Sequence, residues 1–341
     1  MKKIIAFDLE GPLSPMDHAF DCMALIQEGD KIFSVISRYD DLLALEGKEG
    51  YEPGDTLSLI VPFLLHHNLK EEDLSRVSAG AGLVEGAREL IQELKEEGWL
   101  VHIISTSYRQ HAHGIARRLG VPVKEGDHEM VFCTQLFLDN YYDMLRKEDF
   151  SLMEKVESYI LENLYIDDLV SGDKDEEIKE YLDHFFWKEL QGTGLGKIFF
   201  QVDVMGGRRK VRSVEKILQR NQAYLENIAV VGDSITDFQM LKAVEAGGGL
   251  AVVFNGNVYA LSYGTCSLAT THMKDLRELL DLWIKGGREE VRQEIIKKDN
   301  ASEEGPYYHW LVGKGASQIE DIVKAHKKVR NIVRGRAAKL G

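Results

Sequence analysis

Cysteine is scarce in this chain. Cys22, Cys133 and Cys266 are the only three in 341 residues, and they form no C-x-x-C pair. That excludes a disulfide scaffold or a zinc ribbon and leads us to expect a reduced, cytoplasmic protein. Long apolar runs are also missing. Stretches such as Leu250–Phe254 fall far short of a membrane span, so no membrane insertion is expected. Lys2 and Lys3 lead straight into a strand-like run, so no signal peptide is expected either. Positive charge is in deficit, with 42 Lys and Arg against 56 Asp and Glu, a net charge of −14. A phosphate backbone needs a basic face, which argues against nucleic acid as the partner. One local exception runs from Lys324 to Lys339, seven basic residues with no acid among them. It reads as a solvated helix end, or as a surface through which the C-terminal extension docks a protein partner or a second copy. No internal repeat is evident. Gly192, Gly194 and Gly196 do not make a phosphate loop, because Ile198 follows Lys197 where Ser or Thr is needed. They read as a return loop.

What is present is an alternation of β and α patterns. Strand-like runs occur at Lys3–Asp8, Trp99–Ser105, Ile228–Gly232 and Gly249–Phe254. Helical patterns follow at 85–97, 110–119, 211–220 and 237–246. In the first of these, Ala87, Leu90, Ile91 and Leu94 recur at helical spacing. The alternation predicts an α/β protein with a doubly wound parallel sheet. Two stretches interrupt it. Residues 15–80 read as a helical cap inserted after the first strand, over the carboxyl edge of the sheet, able to exclude water. Residues 140–196 read as a mostly helical, acidic insertion. The tail 286–341 reads as a helical C-terminal extension, with a polar break at 299–305 and a packing cluster of Tyr307, Tyr308 and Trp310. That leaves 1–14, 81–140 and 197–285 as the core.

Chemistry concentrates at strand ends, where open α/β sheets bind ligands. The first strand ends in Asp8 and Glu10, followed by Gly11 and Pro12. Two acids spaced i, i+2 can serve as nucleophile and proton donor for one substrate, or be ordinary turn acids. Ile228–Gly232 ends in Asp233, with Asp237 one helical turn later. Hard oxygen ligands there suit Mg²⁺, although Asp237 could equally be a first-turn acid on a helix dipole. Ser105 and Thr106 end another strand and could hold a phosphate with the backbone N–H groups beyond them, or simply cap a helix. Lys210, in Arg208-Arg209-Lys210, could neutralise phosphate. His18, His66, His67, His111 and His113 invite a metal reading. His111 and His113 lie about 200° apart on a helix, which argues against a shared ion.

In this order the four signals resemble the motif set of the haloacid dehalogenase-like phosphohydrolases. Within them, the chain is similar to the phosphoserine-phosphatase-like branch, with a D-x-E variant of the first motif. An apparent hairpin strand at Val131–Asp139 adds to the likeness. The resemblance implies a Rossmann-like core and a Mg²⁺-dependent phosphatase or phosphotransferase acting on a small phosphorylated metabolite, with a phosphoserine-like compound as the first candidate. It implies that Asp8 forms an aspartyl-phosphate. It makes Glu10 the proton donor, whose backbone carbonyl joins Asp8, Asp233 and Asp237 around Mg²⁺. Ser105, Thr106 and Lys210 would hold phosphoryl oxygens. Asp17 would read a substrate amine and Arg38 a substrate carboxylate. Glu in place of the usual Asp at position 10 leads us to expect transfer to an alcohol in competition with hydrolysis. The chain also resembles an archaeal group of accessory proteins associated with energy-converting hydrogenases. That likeness implies the alternative of a non-catalytic member of a larger complex.

Overall fold

The computed structural model describes residues 2–166, 172, 174–298 and 305–339. Part of the inserted stretch, the break at 299–304, and the side chains of Arg336 and Lys339 in the basic run lie outside the described residues. Among the described residues, no helix is long and apolar enough to cross a membrane.

Seven strands form one sheet: β1 (Ile4–Phe7), β2 (Leu100–Tyr108), β3 (Val131–Thr134), β4 (Ile228–Gly232), β5 (Leu250–Phe254), β6 (Cys266–Ala269) and β7 (Tyr307–Trp310). Their order is β3-β2-β1-β4-β5-β6-β7, parallel throughout except for the β6–β7 pair. This is the doubly wound α/β sheet the alternation predicts. Ile4 to Phe7 are all fully buried because the sheet is covered on both faces. Ile5 and Phe7 join one apolar cluster with the helices Ala87–Glu96, Arg109–Leu119 and Leu276–Lys297. Ile4 and Ala6 point the other way, toward Arg208–Arg220, Phe238–Ala246 and the C-terminal helix Ala316–Arg334.

Two expectations fail here. Val131–Asp139 is not a hairpin strand. Its extended part stops at Thr134 and runs parallel to β2 as an edge strand, and Leu138–Met144 turns into 3₁₀ helix. The Thr134 hydroxyl ends the run by bonding to the Thr106 carbonyl and accepting the Met205 N–H. Nor is the extension purely helical. Tyr307–Trp310 adds an antiparallel strand to the sheet, with Tyr307 and Tyr308 buried. A four-residue strand beyond a polar break is too short to announce itself by periodicity.

The stretch expected as a cap is helical, with helices at His18–Met23, Gly29–Glu46, Thr56–Leu59, Val61–His66 and Glu71–Gly80. The later insertion adds Lys147–Tyr159 and Asp175–His184, each continued by a π turn, and Gly194–Phe199. These two stretches share one apolar cluster, in which Ile36, Tyr39 and Leu43 of the first meet Ile178, Leu182 and Phe186 of the second. Polar ties reinforce it: Tyr39 donates to Asp183 at 2.7 Å, and Trp187 donates to Tyr39 at 2.8 Å.

Candidate active site

β1 and β4 are adjacent at the centre of the sheet, and their carboxyl ends carry the acids. The Asp8 N–H donates to the Val231 carbonyl at 2.7 Å, which seats the first loop against the second. Gly11 makes that fit possible. Its φ is +99°, and a Cβ there would lie 2.3 Å from Asp233 Oδ2. Only glycine meets both conditions.

Lys210 is fully buried between two carboxylates, with its Nζ 2.8 Å from Asp8 Oδ1 and 2.7 Å from Asp237 Oδ1. Burial works against its charge, but Asp237 and Asp8 outweigh burial and hold it protonated above the usual lysine range. Asp8 is pushed up by burial and by Asp237, while Lys210 pulls it down. Asp237 spends its other oxygen on the backbone N–H groups of Asp233 and Ser234, at 3.0 and 3.2 Å. Asp237 therefore orients Lys210 and the Asp233 loop, and both its oxygens are taken.

Arg208 and Arg209 turn away from this centre. Arg208 pairs with buried Glu52, and Arg209 Nη1 lies 2.6 Å from Asp55 Oδ1. The loop 52–55 of the inserted helical stretch is thereby fastened to the helix that delivers Lys210. Gly54 sits in that loop at φ +97°, where a Cβ would come within 2.8 Å of Thr106.

A cleft of about 690 Å³, counting its open mouth, lies over Asp8. Its walls include Glu10, Asp17 and Thr236 from the loops, Thr106 from β2, and Phe33, Ser37 and Asp40 from the helix Gly29–Glu46. The Glu10 Oε2 accepts the His18 N–H at 3.2 Å, while Oε1 is buried without a partner. Burial and then Asp17 push Glu10 up to about 7, against the opposing pull of Ser107, the His18 N–H and Arg334. Asp17 Oδ1 caps the following helix through the Phe20 N–H at 2.9 Å, and burial raises its carboxyl too.

Two sequence-predicted residues are placed differently from expectation. Ser105 does not line the cleft. Its hydroxyl is buried and paired with Ser107 at 2.6 Å. Thr106 lines the cleft, and its hydroxyl is buried with no partner, which leaves it for a ligand. Arg38 also faces elsewhere. Its Nε and Nη2 grip both oxygens of Asp175 at 2.7 and 2.5 Å. Positions 33, 37 and 40 share the helix face over the cleft, and position 38 is a hundred degrees round from 37. The histidines are packed or paired. His111 stacks on His18 with ring centres 4.6 Å apart, and His67 Nε2 lies 3.0 Å from Glu157 Oε1. His66, His67 and Glu157 bring one ligand atom each within 4.8 Å of one another, between the two helical stretches.

Sequence reasoning missed two residues altogether. Arg330 and Arg334, in the basic run, are buried, line the cleft and both pair with Asp233 Oδ2, Arg334 at 3.0 Å. The C-terminal helix brings them there on the face that also carries Ile319, Ile322 and His326. His326 accepts the Gly256 N–H at 2.9 Å, and its Nε2 lies 3.0 Å from Ser267 Oγ. The available signal was positional. His326, Arg330 and Arg334 recur every four residues in register with the apolar stripe, where solvated charges do not belong.

The acids also fit a divalent metal. Asp8, Asp233 and Asp237 bring carboxylate oxygens within 4.8 Å of one another, and of the three Asp237 already accepts hydrogen bonds on both. Asp233 Oδ1 is buried with no hydrogen-bond partner. A hard cation with oxygen ligands, such as Mg²⁺, would satisfy that orphaned atom and offset the crowding of carboxylates.

No family model matches the sequence, and no curated protein matches it. Solved structures do. A gene product of Archaeoglobus fulgidus matches with a TM-score of 0.81 at 25% identity, over 100% of this chain and 99% of that one. A phosphoserine phosphatase in apo form matches with a TM-score of 0.51 at 17% identity, over 82% of this chain and 98% of its own. A substrate-bound phosphoserine phosphatase complex gives 0.50 at 20% identity, over the same shares, 82% and 98%. The chain therefore has the fold of the phosphoserine phosphatases.

Proposed function

We propose that this protein is a phosphatase or phosphotransferase acting on a small phosphomonoester through an aspartyl-phosphate on Asp8. One observation carries the reading: Asp8 stands at the end of the central strand with one oxygen held 2.8 Å from a buried lysine, facing a cleft. Lys210 fixes Oδ1 and leaves the other oxygen to attack phosphorus. As that P–O bond forms, the bond from phosphorus to the ester oxygen breaks. Glu10, protonated near neutrality by its surroundings, gives its proton to the departing alkoxide. The Glu10 carboxylate then takes a proton from water, or from an alcohol, which attacks phosphorus and frees Asp8. Thr106 offers its unpartnered hydroxyl to a phosphoryl oxygen. Mg²⁺, held by Asp8 and Asp233, would neutralise charge on the phosphoryl group. The helical wall, with Phe33 and Leu57 over the site, keeps bulk water from the intermediate.

A Mg²⁺-supplemented assay of phosphate release over a panel of phosphorylated metabolites, phosphoserine among them, tests this. Asp8→Asn is expected to lower turnover of any accepted substrate by about 10³-fold or more. Turnover that survives Asp8→Asn overturns the reading.

A further inference from the structure

Arg330 and Arg334 are both bound to Asp233, but they are not equivalent. Arg334 is fully committed. Its Nε donates to the Pro15 carbonyl at 3.3 Å, Nη1 to Asp233 at 3.0 Å, and Nη2 to the Met16 carbonyl at 3.3 Å. It braces the loop after β1 against the C-terminal helix. Arg330 uses one nitrogen only. Its Nη1 donates to Asp233 Oδ2 and, at 3.2 Å, to the Asn255 carbonyl. Its Nε and Nη2 are buried and have no partner. Arg330 as a whole is 4% exposed and lines the cleft over Asp8.

A guanidinium with two empty donors in a buried position is costly, because each unmet donor forfeits its hydration. Nε and Nη2 lie on one edge of the planar group. That edge matches two oxygens of a carboxylate or a phosphate in a bidentate pair. The charge balance agrees. Asp8, Glu10, Asp17 and Asp40 line the cleft, and those that are ionised repel an anion unless a cation receives it. The phosphoryl group of the reaction already has Lys210 and Thr106. Arg330 is left for something else.

We infer that the free edge of Arg330 receives a second oxyanion of the substrate, so that the preferred substrate is a phosphomonoester carrying a carboxylate or another phosphate, read by the C-terminal helix. Arg334 is a positioning residue in this arrangement. The inference rests on the phosphomonoester reading above.

Calorimetric titration of the full chain carrying Asp8→Asn, with Mg²⁺ present, tests it without turnover. Two matched pairs serve as probes. O-phosphoserine and O-phosphoethanolamine differ by one carboxylate. Propanediol bisphosphate and propanediol monophosphate differ by one phosphate. The second-anion member of one pair is expected to bind about 10- to 100-fold more tightly. Whichever pair shows the preference identifies the anion. Adding Arg330→Gln or Arg330→Lys is expected to collapse that ratio toward one, since lysine keeps the charge but lacks the two-pronged edge. Equal binding within both pairs overturns the inference and leaves water on the Arg330 edge, and this comparison needs no arginine variant to fold. A preference that survives both arginine variants overturns the assignment to Arg330. Binding of no probe at all overturns the phosphomonoester reading itself.

Discussion

The sheet and the helical body contribute to the cleft in different ways. The sheet places chemistry by register. Asp8 and Asp233 follow the last residues of two neighbouring parallel strands, so their approach is fixed by backbone hydrogen bonds that any sequence with those strands would form. The helical body places its walls by packing. Phe33, Ser37 and Asp40 reach the cleft because their helix is wedged between its own neighbours and a segment more than a hundred residues later. Charge divides the same way. In the sheet half, buried Lys210, Arg330 and Arg334 meet buried Asp8, Asp233 and Asp237 with little water to screen them. In the helical half, pairs such as Arg38–Asp175 sit partly in solvent. The same kind of interaction is therefore expected to carry very different weight in the two places.

The comparison is broken most directly at Lys210. Lys210→Met leaves Asp8 and Asp237 buried without their shared cation, and a loss of about 3–5 kcal/mol is expected in urea unfolding at neutral pH. A loss below about 1 kcal/mol would mean that the sheet half does not depend on its buried charge. Asp40 probes the boundary between the halves. Burial pushes its carboxyl up to about 7 from an ordinary 3.8, against the pull of hydrogen bonds from Tyr51 and Thr56. Below about pH 4 the folded and unfolded chains both hold this proton. Between there and pH 7 only the folded chain keeps it, so stability falls as pH rises, by up to about 1.4 kcal/mol per unit. Asp40→Asn removes this slope. The stability difference between variant and parent should widen across that window and level off above it; a constant difference refutes the assignment. The smallest effect belongs to Asp175→Asn. Releasing Arg38 there should cost under about 1 kcal/mol, and less still at high salt. A melting shift as large as that of Lys210→Met would erase the distinction between the two regions.

Much of the sheet half was legible in the sequence. A run such as Ile4–Phe7 is a strand because both faces are buried, and its carboxyl end is where the acids had to lie. Lys210 was legible only in the company of Asp8 and Asp233, since a lysine at a helix start says nothing alone. Ser105 and Thr106 read alike in the sequence, and that Thr106 lines the cleft while Ser105 does not depended on how the end of β2 turns its side chains. Arg38 stands one helix position from Ser37, which lines the cleft, a difference that side-chain chemistry cannot reveal. The shared core of the two helical stretches was hidden because each has a sufficient apolar stripe of its own. Arg330 and Arg334 were hidden by their neighbours. Lys324, Lys327 and Lys328 around them are exposed, so the whole run reads as surface, and only the four-residue spacing separates the two that turn inward.

The distances along the chain between bonded site residues carry a consequence for folding. Lys210 meets Asp8 across 202 residues, Arg330 meets Asp233 across 97, and Arg334 reaches Pro15 across 319. Each contact closes a long loop, and β1 itself gains its neighbours from segments that begin at residues 100 and 228. Such closures are slow compared with forming a helix. The helical body closes loops of the same kind, with Tyr39 meeting Asp183 across 144 residues, so neither half of the cleft is built from local contacts alone. Without its C-terminal helix seated, the cleft lacks both arginines that hold Asp233, however compact the rest of the chain is.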